Sequence, residues 1–482
     1  MSELDVLDSG RAGGLAIRGG LLRTTGYLGA LVLSLVSVPF MTRHLGVVDY
    51  GHFVTVTSVV FIVGGITEAG LTNLGTREFT VLEPDQRDAF LRNLAGLRFA
   101  LTTVGIGLAA LLLLVTGAES VIVQGTLIAG AGLLLSLTQQ AYAIPLLARL
   151  RLGWIAALEL LKQAVLTASI IALVLAGAGL IPFFATGVAS AFVGLCVTMA
   201  LIRREAPLMP AAQLETWRRI LRDVLAYAVA AAVGLIYFRL AVILMSYVAS
   251  DYQTGIYSTA FRIVEAIAVI PWLVVSSGFP ILARAARDDR ERLRYGLQRL
   301  FEVALIVGAG IALALMLTAR FAIEVVGGLP EFEDSVPVLR VLALALVTSF
   351  LVATWSFALL SLREHRALLV ANAVAAVVAA AGTIVLAGAF DAMGAAVATV
   401  AAEAVLAVGY LITLMRRHRG LAPGLGILPK VLLACCVGGA AALIPAHPVV
   451  HGVVGLIGFA AVLVATRAIP PELVSALRRR DP

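Results

Sequence analysis

The fold of this chain can be read from the stretch LRFALTTVGIGLAALLLLVTGAESVIVQGTLIAGAGLLLSLTQQAYAIPLLARLRLGW (97–154). It contains most of two apolar runs, 94–117 and 121–145, which are joined by a short gap with Glu119 as its charge. Arginines lie towards the other end of each run. A helix of about 20 apolar residues crosses the hydrocarbon core of a bilayer, and basic residues favour the cytoplasmic side. The stretch therefore predicts a transmembrane helical hairpin.

This pattern continues through the whole sequence. Of the 482 residues, 61% are hydrophobic and 13% are charged, and the mean hydropathy is +1.00, whereas a soluble protein carries roughly a quarter charged residues. The apolar runs predict fourteen spans, at 21–42, 52–74, 94–117, 121–145, 154–177, 181–202, 222–248, 255–281, 298–319, 336–361, 366–389, 391–415, 428–445 and 450–467. We therefore predict an all-α polytopic membrane protein whose short connections leave no room for a soluble catalytic domain.

Basic residues are distributed unevenly between the gaps. Most of the 36 Lys and Arg residues fall in alternate gaps, whereas the opposite gaps hold Arg43 and Arg320 among several acids. Basic loops stay in the cytoplasm, so this bias predicts a multi-pass protein of the plasma (inner) membrane with both termini in the cytoplasm. The same topology accounts for the net charge of +7, which therefore does not indicate a nucleic-acid partner.

Signals for an ATPase or another enzyme do not emerge from the sequence. A phosphate-binding P-loop needs a Gly-Lys pair before Ser or Thr, and neither of the two lysines, Lys162 and Lys430, follows a glycine. The three cysteines lie in apolar runs without the spacing of a zinc site. We predict a transporter rather than an enzyme, with no catalytic residue, no cofactor, no metal and no use of ATP.

An internal repeat divides the chain. The gap after span 1 reads VVDYGHFVTVTSVV (47–60) and the gap after span 7 reads SDYQTGIYSTAFRIV (250–264). In both, an acid and a tyrosine precede a Gly-x-aromatic step into the next helix. Because each repeat holds an even number of spans, the two share one orientation about an axis along the membrane normal. We predict a cytoplasmic N-terminal segment, an N-lobe (TM1–6), a C-lobe (TM7–12), and TM13–14 with a cytoplasmic tail, at 1–20, 21–205, 206–420 and 421–482.

Charges at membrane depth are the candidate functional residues, because they are costly there and by default mark a pathway or an internal pair. Arg239 lies near the centre of span 7, and Glu68 lies deep in span 2. Arg262 and Glu265 are three residues apart in span 8, which places them on one helix face. Two interpretations of Arg239 stay open: it pairs with Glu265 or Glu68, or it binds an anionic ligand together with Arg262. The planar guanidinium fork suits phosphate.

Other charges have simpler interpretations. Arg77 and Arg23 lie at cytoplasmic helix ends, where topology alone accounts for many basic residues. Glu403 lies inside span 12, and local pairing or helix polarity is its favoured interpretation.

Three segments resemble motifs of the Wzx-type polysaccharide flippases. RHLGVVDYGHF (43–53) is similar to the R-x-L-G-x-x-x-Y-G-x-F element after their first helix, and EAGLTNLGTRE (68–78) to the G-x-x-x-x-x-x-R element that ends their second helix. Residues 237–284 resemble their R-x-D…G-x-Y-x-x-A-x-R…P…P-x-L segment, except that Ala241 stands where many relatives have Asp. These flippases belong to the multidrug/oligosaccharidyl-lipid/polysaccharide exporter superfamily.

The resemblance implies two six-helix lobes facing each other across a central cavity, with two further helices. It implies a flippase that moves polyprenyl (undecaprenyl) pyrophosphate-linked oligosaccharide from the cytoplasmic to the outer leaflet by alternating access, for cell-surface polysaccharide synthesis. Membrane lipids and a polysaccharide polymerase or ligase are the expected partners. The expected site comprises substrate binding by Arg239, Arg262, Arg77 and Arg23, and charge tuning or ion coupling by Glu68 and Glu265.

Other functions stay open on the sequence alone. Within the same superfamily, the alternatives are a lipid II flippase and an ion-coupled drug antiporter, although an antiporter for cationic drugs favours acidic cavities. Outside it, a sugar polymerase or ligase would need a long outer loop, and the outer gaps here are short. A scaffold of an envelope assembly complex would tolerate the loss of Arg239 and Arg262, so their substitution separates a scaffold from a flippase.

Overall fold

The protein is described by a computed structural model that covers residues 12–203, 209–421 and 423–469. This described part of the chain is helical and contains no strand. Its α-helices are α1 (Ala12–Glu68), α2 (Leu71–Val81), α3 (Pro84–Val115), α4 (Ser120–Tyr142), α5 (Ile144–Ala148), α6 (Leu152–Leu175), α7 (Leu180–Ile202), α8 (Leu214–Val248), α9 (Asp251–Asp288), α10 (Arg290–Val326), α11 (Ser335–Ser361), α12 (His365–Gly382), α13 (Gly388–Arg417), α14 (Leu428–Gly439) and α15 (Pro448–Ala465).

Two long helical stretches each contain a backbone kink, and each holds two predicted spans. In α1, Gly46 has φ 71° and ψ −179°, a combination that is open to glycine and strained for other residues. Spans 1 and 2 are therefore two helices joined at this glycine. The stretch from α12 to α13 runs through a π-helical turn at Thr383–Ala387 and breaks at Asp391, where φ is 52°. Its ψ is −138°, so this residue lies outside the left-handed helical region and its backbone is strained for a residue with a side chain.

The number of predicted spans agrees with these breaks. In the described part, ten helical segments are long and apolar enough to cross a membrane. Two of them, Val32–Val81 and His365–Arg417, each contain two predicted spans, and spans 7 and 8 lie on α8 and α9. Each of the fourteen predicted spans therefore lies mainly on a helix. Span 2 (52–74) was predicted too long, because α1 ends at Glu68 and α2 begins at Leu71. The predicted fold class, all-α and polytopic, is confirmed.

The chain up to Arg239 forms one compact unit, and the chain from Leu240 forms a second. In the first unit α1 packs against α4 and α6, and α4 also packs against α3 and α7. A Cβ atom added to Gly132 on α4 would lie 3.0 Å from the backbone carbon of Gly187 on α7. Small residues allow this close approach of membrane helices. The four sequence ranges predicted for the domains stay a prediction.

The short helix α2 begins within the last residues of predicted span 2, after a break at Gly70, and joins the core at one end of the first unit. Leu71 and Phe79 are buried in a cluster with Leu94, Tyr142 and other apolar residues of neighbouring helices. Arg77, on the same short helix, is exposed. The helix is thus amphipathic, which fits a segment at the edge of the hydrocarbon region.

In the second unit α11 is the central helix. It packs against α9, α10 and α13, and residues such as Leu339, Leu342 and Leu346 are fully buried along it. The last two helices, α14 and α15, pack against each other and against α10. A Cβ atom added to Gly438 on α14 would lie 2.6 Å from the carbonyl oxygen of Gly455 on α15.

This glycine contact predicts a sensitive position. Because a Gly438→Val side chain would collide with the backbone of α15, we expect a loss of about 1–3 kcal/mol of stability, the usual cost of overpacking. The neighbouring variant Gly439→Val is a matched control, since a Cβ atom there meets nothing within 4 Å. Thermal unfolding in detergent measures both variants. Equal melting temperatures for the two would show that α14 and α15 do not depend on this contact.

Charged residues within the membrane helices

Glu68 forms the junction between α1 and α2. Its carboxylate accepts hydrogen bonds from the Thr72 hydroxyl at 2.5 Å, from the Thr72 amide at 3.1 Å and from the Gly70 amide at 3.3 Å. Gly70 has φ 84°, so a glycine at this position lets the chain turn without strain. A carboxylate near a helix N-terminus satisfies amides that have no partner in the helix. Glu68 thus caps α2.

The Glu68 carboxylate also binds Arg98, whose side chain is fully buried. The guanidinium lies 3.4 Å from Glu68 Oε1, donates to the Thr72 hydroxyl at 2.7 Å and donates to the Leu137 carbonyl at 3.3 Å. One side chain thereby joins α1, α2, α3 and α4. Sequence reasoning missed this role, because it assigned Arg98 to a cytoplasmic gap. The available signal was the apolar sequence on both sides of the arginine, at 97–106.

Arg239 lies on α8 and is the last residue of the first unit. It is 6% exposed, and its guanidinium lies 4.7 Å from the centre of the Phe61 ring. A cation over an aromatic face is attracted by the ring quadrupole, and this attraction grows when water is excluded. Arg239 is thus buried within the protein, and its depth in the membrane stays a prediction. The partner considered for it in this unit, Glu68, is bound by Arg98.

Arg262 and Glu265 lie on one face of α9, as their spacing predicts. Their side chains are joined by an ion pair of 2.9 Å between Nη1 and Oε2. The Arg262 side chain is 40% exposed, whereas that of Glu265 is 14% exposed. One helical turn earlier, the hydroxyl of Tyr257 lies 2.8 Å from that of Thr399 and ties α9 to α13. The helix that presents Arg262 is therefore held in place, and the guanidinium keeps an accessible surface.

The remaining predicted residues are Arg77 and Arg23. Arg77 is exposed on α2. Arg23 belongs to α1, but its side chain lies outside the described residues. The first unit therefore contains Glu68, Arg77 and Arg239, and the second contains Arg262 and Glu265.

Lys162 is a second cation inside the first unit that sequence reasoning assigned to a cytoplasmic gap. It is half-buried near the middle of α6, and its ammonium donates to Gln139 Oε1 on α4 at 3.1 Å. Gln139 in turn donates to the Thr198 hydroxyl on α7 at 3.0 Å. This polar chain crosses three helices of the first unit. Buried polar groups of this kind are costly unless they are hydrogen-bonded, so the chain fixes the packing of these helices.

Glu403 forms a polar contact inside the second unit. It is 9% exposed on α13, and Ser349 of α11 donates a hydrogen bond to its Oε2 at 3.4 Å. Two turns further along α13, Tyr410 accepts a hydrogen bond from Asn372 of α12 at 2.7 Å. Glu403 thus takes part in contacts between helices, as its favoured interpretation expected.

Outside the spans, Glu364 in the gap between α11 and α12 holds the end of α13. Its Oε2 accepts from Arg417 at 2.7 Å, and its Oε1 lies 3.1 Å from His418 Nε2. Burial disfavours the charged carboxylate, but the hydrogen bonds and positive charges of His418 and Arg417 outweigh it. They hold the pKa of Glu364 below its ordinary value of 4.5.

This lowered pKa predicts a dependence of stability on pH. The stabilising contribution of Glu364 is fully present above its ordinary pKa of 4.5 and is lost as the pH falls through the lower folded-state value. We therefore expect the melting temperature of the wild type to fall more steeply in acid than that of Glu364→Gln. Thermal unfolding in detergent over roughly pH 3–7 tests this, with the exposed Glu215→Gln as control. Parallel curves for wild type and Glu364→Gln would contradict the prediction.

Comparison with known proteins adds a family to this geometry. Residues 16–286, more than half of the chain, match the family model described as "Polysaccharide biosynthesis protein". A search of curated proteins finds no match. Among solved structures, the lipid II flippase MurJ in an inward closed conformation superposes with a TM-score of 0.76. The match covers 93% of this chain and 99% of that one at 11% identity.

Two transporters of the MATE family show the same arrangement of helices. An inward-facing multidrug resistance MATE transporter of the MOP superfamily has a TM-score of 0.65 and 16% identity, over 82% of this chain and 97% of that one. A variant of the Vibrio cholerae MATE transporter VcmN has a TM-score of 0.52 and 12% identity, over 87% of this chain and 100% of that one. At identities this low, the superpositions show a shared fold and nothing further about function. The chain belongs to the polysaccharide biosynthesis protein family of Wzx-type flippases and has the fold of the MurJ and MATE transporters of the MOP superfamily.

Proposed function

We propose that this protein is a flippase for a polyprenyl-pyrophosphate-linked oligosaccharide. It moves its substrate from the cytoplasmic to the outer leaflet of the plasma membrane by alternating access, and so supplies cell-surface polysaccharide synthesis. The proposal is supported by two arginines that lie on predicted spans 7 and 8. Arg239 is buried on an aromatic ring, and Arg262 is partly exposed beside Glu265.

The chemistry of these arginines suits a pyrophosphate. The guanidinium stays protonated and donates in a planar fork that matches phosphate oxygens. Placing such cations in the membrane is costly, so a function in binding or pairing explains them better than chance. Arg262 is oriented by its ion pair with Glu265, and its 40% exposure leaves surface for a ligand. The sugar hydroxyls need polar or wet surroundings, because hydrocarbon does not satisfy them.

The other predicted residues take supporting roles in this proposal. Arg77 is exposed on α2 and, together with Arg23, provides positive charge where the substrate is first met. Glu265 tunes the charge of Arg262 directly. Glu68 acts through Arg98, which it binds at 3.4 Å, so its influence on transport is indirect.

The orientation of the protein follows from the basic gaps. With basic gaps on the cytoplasmic side, both termini face the cytoplasm and the substrate is collected where it is synthesised. A polymerase or ligase on the outer side is the expected consumer of the product. Because the sequence carries no P-loop, we propose that an ion gradient or removal of the product drives transport.

A reconstituted system tests the proposed substrate. Purified protein is placed in liposomes with a fluorescent polyprenyl-pyrophosphate oligosaccharide, and an external glycosidase reports how fast inner-leaflet sugar becomes accessible. We expect exposure well above that of protein-free liposomes, with or without an ion gradient.

Parallel liposomes separate the alternative functions. Liposomes with a lipid II analogue test the function of the lipid II flippase MurJ, and liposomes with a cationic dye test drug efflux. Exposure of the lipid II analogue alone would replace the proposed substrate with lipid II. If the protein moves none of these substrates, the alternative of a scaffold in an envelope assembly complex is favoured.

A further inference from the structure

An open cavity of ≈ 580 Å³ lies in the second unit, beside α10, the start of α14 and the end of α15. This volume lies in the range of about 300–1,000 Å³ that is usual for small-molecule sites. The polar side chains that line it are those of Gln298, Arg299, Glu302, Lys430 and Arg467. The start of α14 and the end of α15 adjoin basic gaps of the sequence, as does the start of α10. The cavity therefore lies on the side of the basic gaps.

The lining carries a surplus of positive charge. Three cations face one carboxylate, and that carboxylate, Glu302, is bound by Arg299 at 2.7 Å and by Gln298 at 2.8 Å. Lys430 and Arg467 form no ion pair with any residue that the structure describes. Two positive charges are thus left to attract an anion.

The cavity is shaped in advance by the loop before α14. Gln298 accepts a hydrogen bond from the Gly424 amide at 2.6 Å and donates to the Gly424 carbonyl at 3.2 Å, which fixes this loop to α10. Lys430 lies in the first turn of α14, where the helix dipole favours negative charge. A preformed site loses less entropy when a ligand binds.

The surroundings indicate a ligand with a lipid tail. Arg299 stacks at 5.2 Å on Tyr295, an exposed aromatic ring of the kind found at headgroup depth. Below the cavity, α14 exposes Leu432, Leu433 and Val437, which are 63%, 52% and 46% exposed. An anionic headgroup in the cavity would therefore place its acyl chains along an apolar helix face.

We infer that this cavity binds the phosphodiester headgroup of an anionic phospholipid, of the phosphatidylglycerol class. Lys430 and Arg467 contact the phosphate, and the acyl chains cover the exposed face of α14. Basic pockets between membrane helices on the cytoplasmic side bind anionic headgroups in this manner. The site lies within the second unit and is independent of the proposed transport reaction.

Native mass spectrometry of the delipidated full-length protein tests this inference. Phosphatidylglycerol and phosphatidylcholine of equal chain length are titrated separately, and the bound lipid is counted. We expect the wild type to prefer phosphatidylglycerol. In Lys430→Gln/Arg467→Gln its affinity for this lipid should fall roughly thirtyfold, from the contribution of two surface cations. The control Arg284→Gln/Arg416→Gln removes two other exposed arginines, on α9 and α13, and should keep the wild-type affinity.

The other outcomes overturn the inference. Equal affinities of the cavity and control variants for phosphatidylglycerol, or equal affinity of the wild type for both lipids, would show that the cavity is no lipid site. Inorganic phosphate is added as a competitor. If it displaces bound phosphatidylglycerol as effectively as further phosphatidylglycerol does, the cavity binds free phosphate instead. Should the double variant not fold, Arg467→Gln alone serves, because this exposed residue follows the end of α15.

Discussion

Removing the Glu68 carboxylate in a Glu68→Ala variant is expected to destabilise the protein by about 3–5 kcal/mol. The variant leaves Arg98 fully buried without its counter-charge, and an uncompensated buried charge is among the costliest single changes. It also removes the cap of α2, which adds a smaller cost of about 1 kcal/mol. Thermal unfolding in detergent, with size-exclusion chromatography to check folding, measures the effect.

A second substitution identifies the cause of this loss. Replacing the buried cation as well, in Glu68→Ala/Arg98→Met, should recover part of the stability, because a well-packed apolar side chain often replaces a buried ion pair without loss. The exposed acid Glu215 provides the control, and Glu215→Ala should melt like the wild type.

Transport measurements on the same variants separate pairing from ion coupling. If Glu68→Ala melts like the wild type but no longer moves substrate, Glu68 acts in transport and the Arg98 pair is not its main role. If stability falls and is partly restored by Arg98→Met, the pair explains its position at membrane depth. The two expected roles of Glu68, charge tuning through a partner and ion coupling, thus give opposite results.

Loss of both deep arginines is expected to slow substrate exposure about 100-fold or more in Arg239→Ala/Arg262→Ala. Each charge-assisted hydrogen bond to a phosphate contributes about 1.5–3 kcal/mol, and the variant removes at least one from each arginine. Initial rates in the glycosidase assay measure the effect. The control Arg290→Ala/Arg294→Ala removes two exposed arginines at the start of α10 and should keep the wild-type rate.

The lysine variants separate charge from geometry. Arg239→Lys and Arg262→Lys keep the positive charge but lose the planar fork. Rates between those of wild type and the alanine variant would support binding through paired hydrogen bonds. A rate of Arg239→Ala/Arg262→Ala equal to wild type, in folded protein, would assign both arginines to packing and leave the flippase proposal standing without them.

The pattern of apolar runs was sufficient to predict the fold. A helix is one of few structures that satisfy every backbone hydrogen bond in hydrocarbon, so length and hydropathy alone assign each run to a spanning helix. The breaks between paired spans were also predicted, because the apolar runs stop at 42 and 389 and resume at 52 and 391, and the helices break at Gly46 and Asp391. The spacing of Arg262 and Glu265 likewise placed them on one helix face, where they form an ion pair of 2.9 Å.

The tertiary structure alone decided which buried charges are paired. Arg98 and Lys162 were counted as topology residues, because a basic residue near the end of an apolar run looks the same in sequence whether it faces headgroups or a helix interior. Their partners, Glu68 and Gln139, lie 30 and 23 residues away in the chain. Periodicity and hydropathy describe one helix at a time, whereas the pairing of these charges depends on how neighbouring helices are rotated and spaced.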